Sequence, residues 1–154
     1  MKKEKLKIAL VASAGGHLTQ LLKLADGWEG HEVFYVTTTE EVRGQLRAFG
    51  PVYVVGESNR QHPLKVLAVL GRCLWVIWRE KPQVVISTGA AAGCLCCYLG
   101  KLRGARVLWI DSITNVEQMS LSGRLVRWIA DLCLVQWPAL ERKYKNVFFA
   151  GPVI

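Results

Sequence analysis

Short, nearly unbroken apolar runs alternate with helix-patterned segments along the whole chain, and this alternation constrains the fold more than any other feature. The runs "LKIALVAS" (6–13), "HEVFYVTTT" (31–39), "PVYVVG" (51–56), "PQVVISTG" (82–89), "ARVLWID" (105–111), "DLCLVQ" (131–136) and "NVFFAG" (146–151) have strand length. Between them, Leu18, Leu21, Leu22 and Ala25 repeat at helical spacing. Residues 40–49, 63–80, 90–103, 120–130 and 138–144 also read as helices, with Pro63 in the first turn of its own. Strands that are apolar throughout, rather than on alternate residues, suit a parallel sheet covered by helices on both faces. The chain has 154 residues and no repeat, low-complexity tract or linker. It therefore reads as one doubly wound, mainly parallel Rossmann-like α/β domain over residues 1–154. Ligands of such sheets bind beyond the carboxyl ends of the strands, so the segments after each run are the candidates for function.

Three of these segments stand out. The first run ends in Ser13-Ala14-Gly15-Gly16-His17. Glycines there let backbone N–H groups approach an anion, and a histidine at a helix start can take a proton from a hydroxyl. A helix-start residue that only hydrogen-bonds its loop is the alternative for His17. The fourth run leads into "STGAAAG", where Ser87, Thr88, Gly89, Ala90 and Ala91 form a second possible anion cradle. Close packing of helix on sheet would call for the same small residues. The fifth run ends in Asp111 and Ser112. Asp111 is placed to orient a sugar hydroxyl or His17, or else to cap a turn. The dinucleotide fingerprint G-x-G-x-x-G and the P-loop G-x-x-x-x-G-K-[ST] are both absent, which argues against nicotinamide and ATP. No cofactor is expected.

The net charge of +8 points to an anionic partner. The basic residues are spread along the chain, without a dense aromatic-basic stripe, so nucleic acid is not favoured. Cys73, Cys94, Cys96, Cys97 and Cys133 lack the paired spacings of a zinc site. They read as reduced, packed residues of a cytoplasmic protein, and no metal is expected. Residues 64–79 carry more apolar surface than one stripe against a sheet requires. Lys65, Arg72 and Arg79 recur every seven residues, and Trp75 and Trp78 suit a membrane interface. The segment is therefore expected to be an interfacial helix with those five residues at the membrane; a helix buried between sheet and partner is the alternative.

The segments "SAGGHLTQLLKL", "VVISTGAAAG", "WIDSITNVEQMSLSGRLVRWIADLCLVQWPALERKY" and "FFAGPVI" together resemble the PssD family of bacterial exopolysaccharide synthesis. More distantly, they resemble the membrane-anchoring subunit of the two-chain N-acetylglucosaminyltransferase of eukaryotic N-glycan assembly. The resemblance spans essentially the whole chain. It implies the N-terminal, acceptor-side half of a GT-B glycosyltransferase, with the UDP-sugar site on a separate partner chain. It further implies a lipid-linked pyrophosphate acceptor near Gly89–Gly93, His17 as the base, and a peripheral position on the cytoplasmic face of the membrane. The family often has Glu at the position of Asp111. A non-catalytic role, recruiting a catalytic subunit to the membrane, is the competing reading. The partner is expected to dock near Pro152, Val153 and Ile154, an extended apolar end that follows the last run.

Overall fold

The computed structural model describes residues 4–58 and 61–152. Six parallel strands are ordered β3-β2-β1-β4-β5-β6. They are β1 (Lys7–Val11), β2 (Glu32–Thr37), β3 (Val52–Val54), β4 (Val84–Ser87), β5 (Arg106–Ile110) and β6 (Leu132–Leu134). The helices are α1 (Gly16–Leu22), α2 (Arg43–Leu46), α3 (Pro63–Glu80), α4 (Ala90–Leu102), α5 (Leu121–Val126) and α6 (Pro138–Lys143). The Rossmann-like α/β architecture anticipated from the alternating runs is thus present. Two details differ. The segment 40–49 splits into a 3-10 turn (Glu40–Val42) and the single-turn α2. The run 146–151 makes only an isolated bridge between Leu134 and Phe148 rather than a seventh strand, because β6 itself is only three residues long.

Side chains alternate across the pleat and build two cores. On one face, Ala9, Val11, Phe34, Val36, Val85 and Trp109 pack against Val69, Cys73 and Ile77 of α3 and Ala92, Cys96 and Cys97 of α4. Four of the five cysteines are buried, as small apolar packing residues, and all five are free thiols. Gly100 is required here: a Cβ at that position would lie 2.5 Å from Val85 Cγ2, so α4 could not sit this close to the sheet. On the other face, Ile8, Leu10, Tyr35, Ile86 and Ile110 pack against Leu18, Leu21, Trp28 and Leu46. That cover is incomplete. An apolar hollow of about 360 Å³, lined in part by Trp28, Ile86, Leu108, Ile110 and Leu134, lies open beneath β4, β5 and β6.

The strand order reverses between β1 and β4. Strand β1 pairs with β2 on one side and β4 on the other, so their connections leave in opposite directions. A crevice opens at such a point, beyond the carboxyl ends of β1 and β4.

Asp131, just before β6, ties the far end of the domain together. Its carboxylate accepts from the Val107 backbone N–H at 2.7 Å and from Lys101 Nζ at 2.9 Å. The Val107 N–H first, and Lys101 next, hold its pKa below the ordinary value of 3.8. Its stabilising contribution is fully present above that ordinary value and is lost as pH falls through the lower folded value. Asp131→Asn should therefore show a shallower loss of melting temperature on acidification below about pH 4 than the parent protein, read by calorimetry across an acid series.

Candidate functional site

The loops that leave β1 and β4 meet at the crevice. The His17 ring lies against Gly89, and its Nδ1 is 3.0 Å from the Thr88 carbonyl oxygen. In return Thr88 Oγ1 donates to the His17 carbonyl at 2.6 Å. A carbonyl can only accept, so Nδ1 is the donor, and the tautomer this contact selects has its lone pair on Nε2. Gly89 has φ +149°, a region closed to L side chains, and a Cβ there would overlap the imidazole. Ala90 follows at φ +72° as α4 begins. The sharp turn thus seats His17 on the first residues of a thirteen-residue helix.

Two hollows share that turn. A polar cleft of about 270 Å³ is lined by Ser13, Thr38, Gly56, Glu57, Ser58, Lys65 and Ala90–Ala92. An apolar groove of about 550 Å³ runs from His17 between α3, α4 and α5, past Val66, Cys94, Leu95, Leu121 and Leu125. Ser58, Ala90 and Ala91 belong to both. Burial raises the Cys94 thiol to about 11, so it stays protonated at neutral pH and behaves as part of the apolar wall.

Several polar residues expected to face a ligand are instead spent on building the loops. Ser87 and Thr88 are both fully buried. Ser87 Oγ accepts from the Gly89 N–H at 3.3 Å, and Thr88 serves His17. Asp111 is 1% exposed and receives four donors: Trp109 Nε1 and Ser120 Oγ on Oδ1, Asn115 Nδ2 and the Ser120 N–H on Oδ2. It therefore organises the turn into α5, and the hydrogen bond that orients His17 comes from Thr88. Ser112 is likewise buried, bonded to Gln20 Nε2 and the Thr114 N–H. Gly15 and Gly16 form the exposed turn above β1 and line neither hollow. Of the residues expected to bind substrate, Ser13, Ala90 and Ala91 line a hollow, as does the expected base His17.

A family model described as "Oligosaccharide biosynthesis protein Alg14 like" matches residues 45–153. The chain belongs to this Alg14-like family. The UDP-N-acetylglucosamine transferase subunit ALG14 of Candida albicans is 32% identical to it, over 99% of this chain and 82% of that protein. The human protein of the same name is 25% identical, over 99% of this chain and 85% of that protein. Among solved structures, MurG of Acinetobacter baumannii superposes with a TM-score of 0.73 at 17% identity, covering 88% of this chain and 43% of that one. The UDP-GlcNAc 2-epimerase of Methanocaldococcus jannaschii gives 0.68 at 13% identity, covering 96% and 46%. These two show a shared fold, the Rossmann-like half of a GT-B architecture, and the chain spans less than half the length of either.

In this Alg14-like chain, helix α3 buries Val69, Cys73, Val76 and Ile77 and turns a second apolar stripe to solvent. Leu64, Leu67, Leu74, Trp75 and Trp78 are 80%, 61%, 42%, 55% and 41% exposed. Arg79 lies 5.1 Å from the Trp75 ring and Arg103 lies 5.3 Å from that of Trp78. Lys65 and Arg72 are not on this stripe. The seven-residue spacing does put them on one face, but that face is turned toward the loop after β3. There Lys65 lines the polar cleft, and Arg72 Nη1 donates to the Val55 carbonyl at 3.1 Å. No helix among the described residues is long and apolar enough to cross a membrane. Among these residues, too, no group of His, Cys, Asp and Glu is arranged to hold a metal. Pro152 is exposed, and Val153 and Ile154 lie outside the described residues.

Sequence reasoning passed over Thr38, Gly56, Glu57 and Ser58 as cleft residues, and over Leu121 and Leu125 as groove residues. The first four follow β2 and β3, so the strand-end rule pointed at them. The two leucines line the groove only because α5 folds back beside α4, which no local pattern announces. Gly89→Ala should destabilise the protein by about 1–3 kcal/mol in urea unfolding, through overlap with His17 and the strained φ. Gly16→Ala, with open space at its Cβ, should change stability by less than about 0.5 kcal/mol.

Proposed function

We propose that this chain is the acceptor-side subunit of a two-chain glycosyltransferase and brings a separate UDP-sugar-binding subunit to the cytoplasmic face of a membrane. The complex would transfer a sugar to a lipid-linked pyrophosphate acceptor, in the synthesis of a bacterial exopolysaccharide. The observation that carries the recruiting role is the exposed α3 stripe. Five large apolar side chains with cations stacked on both tryptophans fit the headgroup boundary of an anionic bilayer. The net charge of +8 acts in the same direction. The relatives are named as transferase subunits, which supports a partner chain. So does the apolar hollow beneath β4–β6, since parallel sheets are covered on both faces. Phe148, half exposed and bridged to Leu134, adds apolar surface beside a residue that lines the hollow, and residues 152–154 are the proposed docking tail.

The chain should float with vesicles containing anionic lipid. Trp75→Ser with Trp78→Ser should abolish flotation, and raising salt to about 1 M should weaken it. A parent chain that stays with the soluble fraction, alone and with its partner, would refute the recruiting role.

A catalytic contribution is supported by one observation, the protonated Nδ1 that leaves Nε2 of His17 as the acceptor of a substrate proton. With partner, nucleotide sugar and acceptor present, His17→Ala should then lower transfer by about 10²–10⁴-fold while the variant still melts cooperatively. Unchanged transfer by the folded variant would leave recruitment as the whole of this chain's role.

A further inference from the structure

A further hollow, of about 540 Å³, lies at the opposite edge of the sheet from His17. It is lined by Leu6 and residues 81–84 and 103–106, so it opens beyond the amino ends of β4 and β5. Helix α3, of eighteen residues, runs from one edge to the other and spans about 27 Å. The hollow is therefore no part of the His17 crevice.

Three cations line it, Lys81, Arg103 and Arg106, and no carboxylate does. All three are exposed, and among the described residues none of them makes an ion pair. Helix dipoles account for two. Lys81 caps the carboxyl end of α3 and Arg103 that of α4, where positive charge is favourable. Arg106 begins β5 and has no helix end to serve. Its charge is felt by Asp131, but that carboxylate is already bonded to Lys101 Nζ and the Val107 N–H. Like charges gathered round one hollow repel one another, and a bound anion would offset that repulsion.

The rim indicates where the anion comes from. Arg103 Cζ lies 5.3 Å from the Trp78 ring, and Trp78 belongs to the exposed stripe of α3. Leu102, next to Arg103 in the chain, is 79% exposed. Apolar side chains thus border a cationic hollow. An occupant with a phosphate inside and acyl chains outside satisfies both, whereas a free phosphate would leave Leu102 in water.

We propose that this hollow is a headgroup site for one anionic phospholipid, with Lys81, Arg103 and Arg106 around its phosphate and its acyl chains over Trp78 and Leu102. This rests on the membrane-recruiting reading above and adds a second point of attachment to it. The apolar stripe alone would hold α3 at the bilayer but leave the domain free to roll about the helix axis. A headgroup held by α4 as well as α3 would fix that roll, and with it the height of the His17 crevice above the membrane.

The test is titration calorimetry of the purified full chain with dihexanoyl phosphatidylglycerol, dihexanoyl phosphatidylcholine and inorganic phosphate, each lipid kept below its micellar concentration. Dihexanoyl phosphatidylglycerol should bind one to one and at least about tenfold more tightly than either of the others, through its net charge in the first comparison and its acyl chains in the second. Arg103→Gln with Arg106→Gln should weaken it by at least about tenfold. Arg142→Gln with Lys145→Gln removes the same charge from exposed positions outside the hollow and should change it by less than about twofold. All four side chains are exposed, so both variants should melt close to the parent chain. Absence of binding, or equal binding of the phosphatidylcholine, would overturn the proposal. Equal binding of inorganic phosphate would make the hollow a site for a soluble anion and would also overturn it. So would an unchanged affinity in the Arg103 and Arg106 variant, or an equal loss in both variants, which would reduce the effect to net charge. Because these titrations use monomeric lipid, their failure leaves flotation of the parent chain and its dependence on Trp75 and Trp78 untouched. Headgroup binding without flotation would defeat the recruiting reading instead, so the two fail separately.

Discussion

His17 and Thr88 stand seventy-one residues apart in the chain, and the reciprocal hydrogen bonds between them close the crevice where the strand order reverses. Each bond contributes about 1 kcal/mol net, yet together they set the geometry of everything around them. They hold the loop after β1 against the loop after β4. They select the protonated nitrogen of the imidazole. They also press the ring onto Gly89, which excludes any side chain there and forces the turn that starts α4. The polar cleft and the apolar groove both reach Ala90 and Ala91, the first residues of the helix that this contact seats.

Polar residues at the strand ends divide into two kinds. Ser87, Thr88, Asp111 and Ser112 are buried and spend their hydrogen-bonding capacity on backbone and neighbouring side chains. This is what a sharply turning loop above a parallel sheet requires, since an unpaired buried polar group costs more than the net worth of the bond it lacks. Ser13, Glu57, Ser58 and Lys65, less deeply placed, line the open polar cleft. The apolar residues divide in the same way. One stripe of α3 closes the core, and the other, with the hollow beneath β4–β6, leaves hydrocarbon in water that a membrane and a second chain would cover.

The alternation of apolar runs with helical spacing was enough to determine the parallel α/β sheet, because a strand apolar on both faces has no other stable surroundings. It also placed His17 and the Gly89 turn at the same edge of the sheet, beyond the carboxyl ends of β1 and β4, because the strand-end rule depends only on chain direction. It overstated β structure at 146–151, where composition favours a strand but the short β6 offers too little edge to pair with. Tertiary structure alone decided which polar groups remain available and which way α3 faces. Lys65, Arg72 and Arg79 share a face by sequence, but the β3–α3 loop captures the first two and a tryptophan holds the third. The groove, too, is a product of three helices meeting. Periodicity records what each segment must bury, and only the packed domain determines which neighbour buries it and what is left open.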